Sequence, residues 1–396
     1  MPASLYRKVP STIPLIRVND STRAYWQLAL WNWRQHRVKV VAITGSAGKT
    51  TTTAMLTAIL KRRYRLVQTE GNLNTLTFLP TYLTRLSARH QLMVLEMGMK
   101  SLRNIARQCQ IVRPSVGAVT NVGEAHAGSL GGVDRVVRAK QELIDGMRSD
   151  GTLFLNADDV RSRKLNTRCF KGKVFYFGTQ HPATIRAERI RYTTKGMQFD
   201  VLIGRKRYPI LIPVLGVHNV YNALAAIGMA RALGLSMADI QRGLAYFHTP
   251  KMRMQLLNGY SGRLLINDAW NANPSAMIAG LKVVRYLANR RPAYVVLGDM
   301  LELGEMTRAS HQRIGRYVAS LPFHGLITIG QHARLISQTA LRHGMPRSRV
   351  FHFNNHRDLI RHLRRTPSHS VIYFKASRKL HLERVVRELC PKSGPR

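Results

Sequence analysis

The segment Val38–Leu60, VKVVAITGSAGKTTTTAMLTAIL, decides the fold of this chain. Its first part is a β-branched apolar run, with Val40, Val41 and Ile43, that is typical of a buried parallel strand. The run ends at TGSAGKT, residues 44–50, and a stretch rich in Ala, Leu and Met then favours a helix. A strand, a glycine-rich turn and a helix in that order predict a phosphate-binding loop. Glycine lets backbone N–H groups approach oxyanions, and the helix directs its positive end toward them.

Two side chains of this loop carry the expected chemistry. Lys49 would reach the β- and γ-phosphates of ATP, and the Thr50 hydroxyl would bind Mg²⁺. The pattern T-G-x-x-G-K-T is shorter than the general G-x-x-x-x-G-K-[ST], because Ile43 stands where the first glycine belongs. An ordinary turn with a chance Gly-Lys-Thr is the alternative, but the order of elements favours an ATP site. The rest of the expected nucleotide loop comprises Gly45, Ser46, Ala47, Gly48 and Thr51.

Length and composition predict two or three globular domains, because the chain has 396 residues of which 45% are hydrophobic. The sequence has no apolar run of about 18 residues, the length needed to span a bilayer, and its first residues lack the apolar core of a signal peptide. The three cysteines, Cys109, Cys169 and Cys390, are isolated and show no metal-binding spacing. We therefore expect a cytoplasmic protein without a transmembrane segment.

The charge is strongly basic, with 62 Lys and Arg against 20 Asp and Glu and a net charge of +42. Such a field favours anionic partners such as nucleotides, nucleic acid, acidic polymers or anionic membranes. The basic residues are dispersed along the whole chain, and no RNA-binding signature, zinc finger or long basic tail accompanies them. We expect no specific nucleic-acid partner, since dispersed charge is equally explained as a surface adaptation of the host's proteome.

Hydrophobic patterning divides the chain into three parts and predicts an α/β fold. In residues 1–37 we expect a short strand within Ile13–Asp20 and an amphipathic helix whose apolar side carries Tyr25, Leu28, Trp31 and Trp33. Residues 38–255 predict a P-loop central ATPase domain with a mainly parallel sheet. Residues 256–396 alternate strands and helices again, which predicts a C-terminal Rossmann-like α/β domain.

Two further residues stand where ligands bind in open α/β sheets, outside the carboxyl ends of strands, and a third lies on a helix. Glu96 ends the strand-like segment QLMVLEMG, where a carboxylate can hold Mg²⁺ directly or through water. His126 lies in a glycine-flanked loop after another strand, and Lys140 lies on the apolar side of a helix. On the residues alone, His126 could be structural or solvated, and Lys140 could direct its amine to solvent. Other acids at or just beyond strand ends are Asp268, Asp299, Glu302 and Glu305.

Eight segments occur in a fixed order that resembles a known family: TGSAGKTTT, EGNLNT, VLEMG, NVGEAHAGSLGGV, GVHNVYNALAA, NDAWNANPSAM, VLGDMLELGE and FKASR. Together they resemble the Mur ligases of peptidoglycan synthesis, over residues 13–388. DAWNANP and GDMLELGE are most similar to the family members that add D-alanyl-D-alanine to a UDP-N-acetylmuramoyl-tripeptide. The resemblance implies a peptide-bond-forming ligase that uses ATP to convert a carboxylate into an acyl phosphate, which the amine of the donor then attacks.

The resemblance also implies roles for individual residues. Lys49 would stabilise charge on the migrating phosphoryl group, while Thr50 and Glu96 would hold one Mg²⁺. His126 would bind a second Mg²⁺, and Lys140 would undergo N6-carboxylation and so supply an anionic ligand to the metal. The implied nucleotide contacts are His218, Asn219 and Asn222 near adenine, Arg253 at the hinge, Asp268 on the ribose and Asn271 in the adjoining turn. The implied substrate contacts are Asn72, Asn74, Asn273, Lys375 and Arg378.

The sequence departs from the family pattern at three places. Trp270 stands where the family usually has Tyr, and Ala376 stands where it has Gly. Only 44 residues precede Gly45, whereas the family carries an N-terminal domain that binds the UDP end of its substrate; residues 1–37 resemble the tail of that domain. The resemblance therefore implies another acceptor, a partner chain that supplies the missing domain, or partial retention of the activity.

The expected partners are a small anionic acceptor and an amino-acid or dipeptide donor such as D-alanyl-D-alanine. Two alternatives stay open. One is the same ligase chemistry on a non-UDP acceptor, such as another anionic peptide or polymer. The other is a non-catalytic, nucleotide-binding scaffold.

Overall fold

A computed structural model describes residues 16–391, which form two sheets with helices packed on their faces. The first sheet has nine strands in the order β2-β3-β1-β4-β5-β6-β7-β8-β9. Its neighbours from β2 to β7 are parallel, and β7, β8 and β9 form an antiparallel meander. The strands are β1 (Lys39–Thr44), β2 (Leu66–Gln68), β3 (Leu92–Glu96), β4 (Val116–Val119), β5 (Thr152–Asn156), β6 (Lys173–Gly178), β7 (Ile185–Thr193), β8 (Gly196–Ile203) and β9 (Lys206–Ile212).

Within residues 16–391, the second sheet has six strands in the order β10-β11-β15-β12-β13-β14, and only β10 is antiparallel to its neighbour. The prediction of an α/β fold with a large, mainly parallel sheet and a second, Rossmann-like sheet is confirmed. The strands are β10 (Gln255–Asn258), β11 (Leu264–Asn267), β12 (Ala293–Gly298), β13 (Gly325–Ile329), β14 (Val350–Phe353) and β15 (Val371–Lys375).

Most of the parallel strands are joined by α-helices, which pack on both faces of each sheet, whereas β5 to β9 follow one another without an α-helix between them. Within residues 16–391, no helix is both long enough and apolar enough to cross a membrane. The helices are α1 (Ser21–Gln35), α2 (Lys49–Leu60), α3 (Leu79–Thr84), α4 (Asn104–Val112), α5 (Ala127–Leu130), α6 (Val133–Gly146), α7 (Val217–Ala232), α8 (Met237–Ala245), α9 (Pro274–Ala288), α10 (Thr307–Ala319), α11 (Arg334–Arg342), α12 (His356–Arg364) and α13 (Leu382–Leu389).

Strand β1 is central to the first sheet because it pairs with β3 on one side and with β4 on the other. Successive side chains of a strand point to opposite faces, and here both faces are buried. Val41 and Ile43 belong to one apolar cluster, whereas Val40 and Ala42 belong to another. Full burial of such a side chain contributes about 1.5–3 kcal/mol. This burial holds the carboxyl end of β1, and so the phosphate loop that follows it, in a rigid position.

The prediction for the first 37 residues is partly wrong. Helix α1 is present, but residues 16–20 contain no strand, and residues 13–15 lie outside the described part of the chain. The predicted apolar side is also wrong, because Tyr25, Leu28 and Trp31 are 40%, 56% and 59% exposed. The helix instead packs through Trp26, Ala29, Leu30 and Trp33, of which only Trp33 was predicted.

The side chain of Asn32 explains which face of α1 turns inward. Its Nδ2 donates hydrogen bonds to the carbonyl oxygens of Leu83 and Leu86, at 2.8 and 3.0 Å. These bonds satisfy two carbonyl groups near the end of α3 and set the rotation of the helix about its axis. The sequence pattern did not identify this polar anchor.

Candidate functional site

The phosphate loop has the backbone that its glycines predict. Gly45 and Gly48 have φ angles of +150° and +84°, which side chains on Cβ rarely permit. A Cβ atom on Gly45 would lie 1.9 Å from Oγ1 of Thr120, and one on Gly48 would lie 2.2 Å from Oδ1 of Asn222. The loop is therefore packed tightly between β4 and α7, and it leads directly into the N-terminus of α2. The geometry is that of an anion-binding helix start.

Lys49 begins α2 and turns back over the loop. Its Nζ donates a hydrogen bond of 2.7 Å to the carbonyl oxygen of Gly45. Burial lowers the pKa of Lys49, the positive charge of Arg253 lowers it further, and Glu96 opposes both effects. Arg253 belongs to the connection to the second sheet, between Met252 and Met254 with φ angles of +57° and +51°. The amine thus lies within the field of groups from both halves of the molecule.

Two cavities adjoin the phosphate loop and share several of its residues. The first, of about 330 Å³, extends toward α7 and the loop after β5. The second, of about 450 Å³, extends toward the ends of β3 and β4. Of the predicted site residues, the first cavity is lined by Ser46, Ala47, Gly48, Thr51, His218, Asn219, Asn222, Arg253, Asp268, Asn273 and Lys375. The second is lined by Lys49, Thr50, Asn72, Asn74, Glu96, His126, Asn271 and Arg378, together with some of the residues that line the first.

The first cavity has a chain of amides on α7 beside the loop. Nδ2 of Asn222 donates to Oδ1 of Asn219 at 3.0 Å, and Nδ2 of Asn219 lies 3.2 Å from Nε2 of His218. Burial lowers the pKa of His218 to about 4, with Lys375 adding to the effect and Asp268 opposing it. The ring is therefore neutral at pH 7 and can hydrogen-bond a base or sugar without carrying charge.

Asp158 organises the wall of the first cavity beside α7. Its carboxylate accepts hydrogen bonds from the backbone N–H of Thr179 at 2.6 Å, of Gln180 at 3.0 Å and of His181 at 2.7 Å. It also accepts one from the Tyr221 hydroxyl at 2.7 Å. Burial alone would raise the pKa of Asp158, but these hydrogen bonds outweigh it and lower the pKa well below its usual range. One carboxylate thus connects the loop after β5, the loop after β6 and helix α7.

Asp268 and Lys375 form a buried ion pair where β11 and β15 end. The Lys375 Nζ lies 2.5 Å from Oδ2 of Asp268, and the two side chains are 2% and 9% exposed. Tyr373 donates its hydroxyl to the same oxygen at 3.0 Å, and the backbone N–H of Met254 donates to Oδ1 at 3.2 Å. Burial lowers the pKa of Lys375, whereas Asp268 raises it. Both carboxylate oxygens therefore already have protein donors.

Glu96 is held at the edge of the second cavity by residues of the preceding polar loop. Asn74 donates from Nδ2 to Oε1 of Glu96 at 2.7 Å, and the Glu96 N–H donates to Oγ1 of Thr69 at 3.0 Å. Asn74, predicted as a substrate contact, thus orients the carboxylate in this structure. A Cβ atom on Gly98 would lie 2.2 Å from the Asn74 oxygen, so glycine is needed there for this arrangement.

Lys140 lies behind the second cavity and is 1% exposed. Its Nζ donates to Oγ1 of Thr44 at 3.1 Å and lies 3.6 Å from Sδ of Met99. Burial, and then the positive charge of Lys49, lower the pKa of Lys140 well below its ordinary value. The structure thus brings Lys140 next to the phosphate loop from helix α6, but not into the lining of either cavity.

The second sheet contributes aromatic and cationic side chains to the second cavity. The guanidinium carbons of Arg253 and Arg378 lie 5.9 and 5.6 Å from the ring centroid of Trp270, which is cation–π distance. Arg378 is also paired with Glu383, Nη1 to Oε1, at 2.5 Å.

The second departure from the family pattern, Ala376, is fully buried, and its methyl group occupies the space next to Gly298.

Residues 302–304 of the second sheet's domain close over the second cavity. Oε2 of Glu302 lies 2.7 Å from Nδ1 of His126, and the hydrogen bond from His126 lowers the pKa of Glu302. The backbone N–H of Gly128 donates to the Glu302 carbonyl oxygen at 3.0 Å. Arg313 and Glu124 add an ion pair at 3.3 Å.

The donors at the second cavity fit Mg²⁺ better than a transition metal. Thr50, Glu96 and His126 line one cavity, but within the described residues no three His, Cys, Asp or Glu side chains cluster into a metal cage. Mg²⁺ is usually held by one or two carboxylates together with substrate phosphates and water. A hydroxyl and a carboxylate beside a phosphate loop are therefore a suitable donor set.

Sequence reasoning identified most of the lining but missed a set of polar residues in the first cavity. Asn156 ends β5, and Asp158 and Asp159 follow it directly, in the segment LNADD. Glu96 was predicted from the same kind of position at the end of a strand, so these residues could also have been predicted from the sequence. The other polar side chains of the lining that were missed there are Thr120, Asn121, Arg161, Tyr221, Thr249 and Ser275. In the second cavity the prediction omitted Trp270 and Glu302 as site residues.

Comparison with known proteins agrees with this geometry. Residues 43–230 match the Mur ligase middle domain, and residues 252–378 match the Mur ligase, glutamate ligase domain. The UDP-N-acetylmuramoyl-tripeptide--D-alanyl-D-alanine ligase of Bacillus subtilis is 32% identical over 96% of this chain and 82% of the relative.

Solved structures of MurF are similar over nearly the whole chain. MurF from Acinetobacter baumannii superposes with a TM-score of 0.85 at 30% identity, covering 97% of this chain and 84% of that one. MurF from Thermotoga maritima in complex with ADP gives a TM-score of 0.82 at 25% identity, covering 97% and 86%. With a phosphate loop, a nucleotide-sized cavity and these relatives, the chain belongs to the Mur ligase family of ATP-dependent peptide ligases.

Proposed function

We propose that this protein joins D-alanyl-D-alanine to UDP-N-acetylmuramoyl-tripeptide, with ATP and Mg²⁺, in the cytoplasm. One observation carries the proposal: Lys49 and the phosphate loop lie between two cavities, each lined by residues from both sheets. Such a site can hold a nucleotide on one side of the transferring phosphate and an acceptor carboxylate on the other. The named activity of the Bacillus subtilis relative supports this choice of substrates.

The chemistry follows from the positions of charge. The acceptor carboxylate attacks the γ-phosphorus of ATP, the bond to the β,γ-bridging oxygen breaks, and ADP leaves. The amine of the dipeptide then attacks the acyl phosphate, phosphate departs, and the amine loses a proton as the amide forms. Lys49 and the N-terminus of α2 stabilise the charge that moves between oxygens. Arg253 and Arg378, held against Trp270, supply positive charge from the opposite wall.

Mg²⁺ would neutralise phosphate charge when bound. Thr50 and Glu96 would hold one ion, and His126 would contribute to a second. Asn74 keeps the Glu96 carboxylate aimed at the cavity edge. In the first cavity, the neutral ring of His218 and the amides of Asn219 and Asn222 would contact the nucleoside.

We further propose N6-carboxylation of Lys140. Carbamate formation needs the uncharged amine, which adds to CO₂ and releases one proton. Burial and the nearby charge of Lys49 favour that uncharged form. The product would replace a neutral amine near Lys49 with an anion, which would pair with Lys49 or with a bound metal.

Two other interpretations are weaker. Ligation to a non-UDP acceptor would use the same phosphate site, and only substrate tests separate it from the proposal. A scaffold without catalysis does not require Lys49, Thr50, Glu96, His126 and Lys140 to be retained around one loop, as they are here. A partner chain that completes the acceptor site has no support in the relatives found.

The deciding experiment measures phosphate release from ATP and Mg²⁺ by the purified protein with each substrate alone and with both. Release that needs both, together with a product of the ligated mass, supports the proposal. Lys49→Met should reduce turnover by about 10²–10³-fold, the scale of removing one preorganised charge. Lys61→Met is the matched control, because Lys61 is exposed at the other end of α2. Release with other acceptors only, or ATP binding without release, would refute it.

A further inference from the structure

We infer that Glu302 is a positioning residue: on domain closure its carboxylate selects the proton position on His126, so that the second metal site is completed by the C-terminal domain. The inference rests on the proposed function for His126 as a metal ligand. Glu302 itself is not proposed as a ligand, since it acts through the histidine ring.

The geometry places the contact across the domain boundary. His126 follows β4 of the first sheet, whereas Glu302 follows β12 of the second. Oε2 of Glu302 and Nδ1 of His126 are 2.7 Å apart. Both residues have φ angles of +65°, in the left-handed region that disfavours side chains. Such backbone is kept only where the surroundings impose it, and it is concentrated at functional sites.

The chemistry of the two groups decides where the proton lies. An ionised carboxylate only accepts hydrogen bonds, so the Nδ1 atom that faces it carries the proton. In the neutral ring, Nε2 is then the nitrogen with the free lone pair, which is the form a metal requires. Histidine ligands commonly donate their other N–H to a carboxylate, and losing that partner typically costs 10–100-fold in metal affinity.

Two glycines, Gly128 and Gly304, adjoin the contact between His126 and Glu302, and they link this contact to the close approach of the two domains. A Cβ atom on Gly128 would lie 2.2 Å from the backbone nitrogen of Gly304, and one on Gly304 would lie 2.6 Å from the Gly128 Cα. Only glycine at both positions allows the two backbones this close. The bond from the Gly128 N–H to the Glu302 carbonyl oxygen, at 3.0 Å, then fixes the register of the approach.

The energy of the pair is too small for a mainly structural role. The side chain of Glu302 is 59% exposed and that of His126 is 26% exposed. Exposed pairs of this kind contribute little to the free energy of unfolding, because solvent screens their attraction. We therefore expect Glu302 substitutions to leave the folded state intact while they change the state of the ring.

The first test is independent of metal and of activity. Protein labelled with ¹⁵N-histidine is compared by NMR at pH 8.5, with the His126 signal assigned through His126→Gln. In the unsubstituted chain we expect a protonated Nδ1 and an unprotonated Nε2. Glu302→Ala should shift the ring toward a protonated Nε2, whereas Glu302→Gln should retain the wild-type pattern because its amide oxygen still accepts. Glu305→Ala, an exposed acid in the same loop, is the matched control.

The second test uses Mn²⁺ as a paramagnetic probe, titrated with a non-hydrolysable ATP analogue present. Glu302→Ala should weaken the second Mn²⁺ site by about 10–100-fold and leave the first unchanged. Gly128→Ala should do the same while increasing the radius of gyration in solution scattering, because it blocks closure.

The outcomes separate the two proposals. An unchanged His126 tautomer in Glu302→Ala would overturn this inference, whatever the metal data show. The expected tautomer shift with no second Mn²⁺ site in the unsubstituted protein would instead refute the metal role in the proposed function. Gly128→Ala counts only if its melting curve shows that it folds; the Glu302 variants decide the question alone.

Discussion

The Nζ atom of Lys375 lies 2.5 Å from Oδ2 of Asp268, with both side chains buried where the neighbouring parallel strands β11 and β15 of the second sheet end. The resemblance assigned these residues separately to ribose and substrate. In the structure they form an ion pair in the lining of the first cavity, where we propose that the nucleotide binds.

Removing one charge of this pair should destabilise the protein more than removing both. Lys375→Met leaves the Asp268 carboxylate without a cation, which costs about 3–5 kcal/mol when the group is buried. The double variant Lys375→Met with Asp268→Asn should recover a large part of that loss. Calorimetric melting of the C-terminal domain measures both changes. Equal destabilisation by the single and double variants would show that the pair is not coupled.

Asp158 should control nucleotide affinity without touching phosphate. Asp158→Asn replaces one of the two accepting oxygens with an NH₂ group and removes the negative charge, so several of the hydrogen bonds that join the loops after β5 and β6 are lost or weakened. A hydrogen bond to a charged group contributes about 1.5–3 kcal/mol, so we expect at least a tenfold weaker Kd for ADP in calorimetry. Asp150→Asn, which removes an exposed pair with Arg148, is the control. An unchanged ADP affinity would contradict this role.

Lys140 should carry a carbamate when the protein is incubated with bicarbonate. We expect a carbamate resonance in ¹³C NMR after incubation with ¹³C-bicarbonate, and its loss in Lys140→Ala. Turnover should fall by about 10²-fold in the variant, since one preorganised charge is removed from the site. Absence of the resonance together with undiminished ligation by Lys140→Ala would reject the modification.

The buried ring of His218 predicts a defined dependence of stability on pH. Burial lowers its pKa in the folded state to about 4, below the unfolded value of 6.5. As the pH falls from 6.5 to 4, the unfolded chain takes up this proton and the folded chain does not, so stability decreases, by at most about 1.4 kcal/mol per pH unit.

His218→Gln should remove that contribution. Its melting temperature should therefore decline less steeply than that of the unsubstituted protein between pH 6.5 and pH 4, and the two slopes should agree above pH 7. Identical slopes in the acid range would show that the ring is not buried in its neutral form.

Most of the site could be predicted from the sequence because its residues follow local rules. The phosphate loop, Glu96 and His126 all lie at carboxyl ends of parallel strands, a position readable from hydrophobic runs. By the same rule Asn156 and Asp158 were within reach. The buried face of α1 could not be predicted in this way. The helix has aromatic residues on two sides, and hydrogen bonds from Asn32 to carbonyl groups distant in the chain decide which side is buried.

The sequence by itself determined the fold class, the Mur ligase family and the loop around Lys49, since glycine spacing and apolar periodicity are local properties. Only the tertiary structure decided the partners of each charge: Asp268 with Lys375, Glu96 with Asn74 and His126 with Glu302. Those pairs join segments 22 to 176 positions apart, as the residue numbers show. Their formation depends on how the two sheets pack against each other, and local sequence patterns do not show which residues so far apart in the chain come into contact.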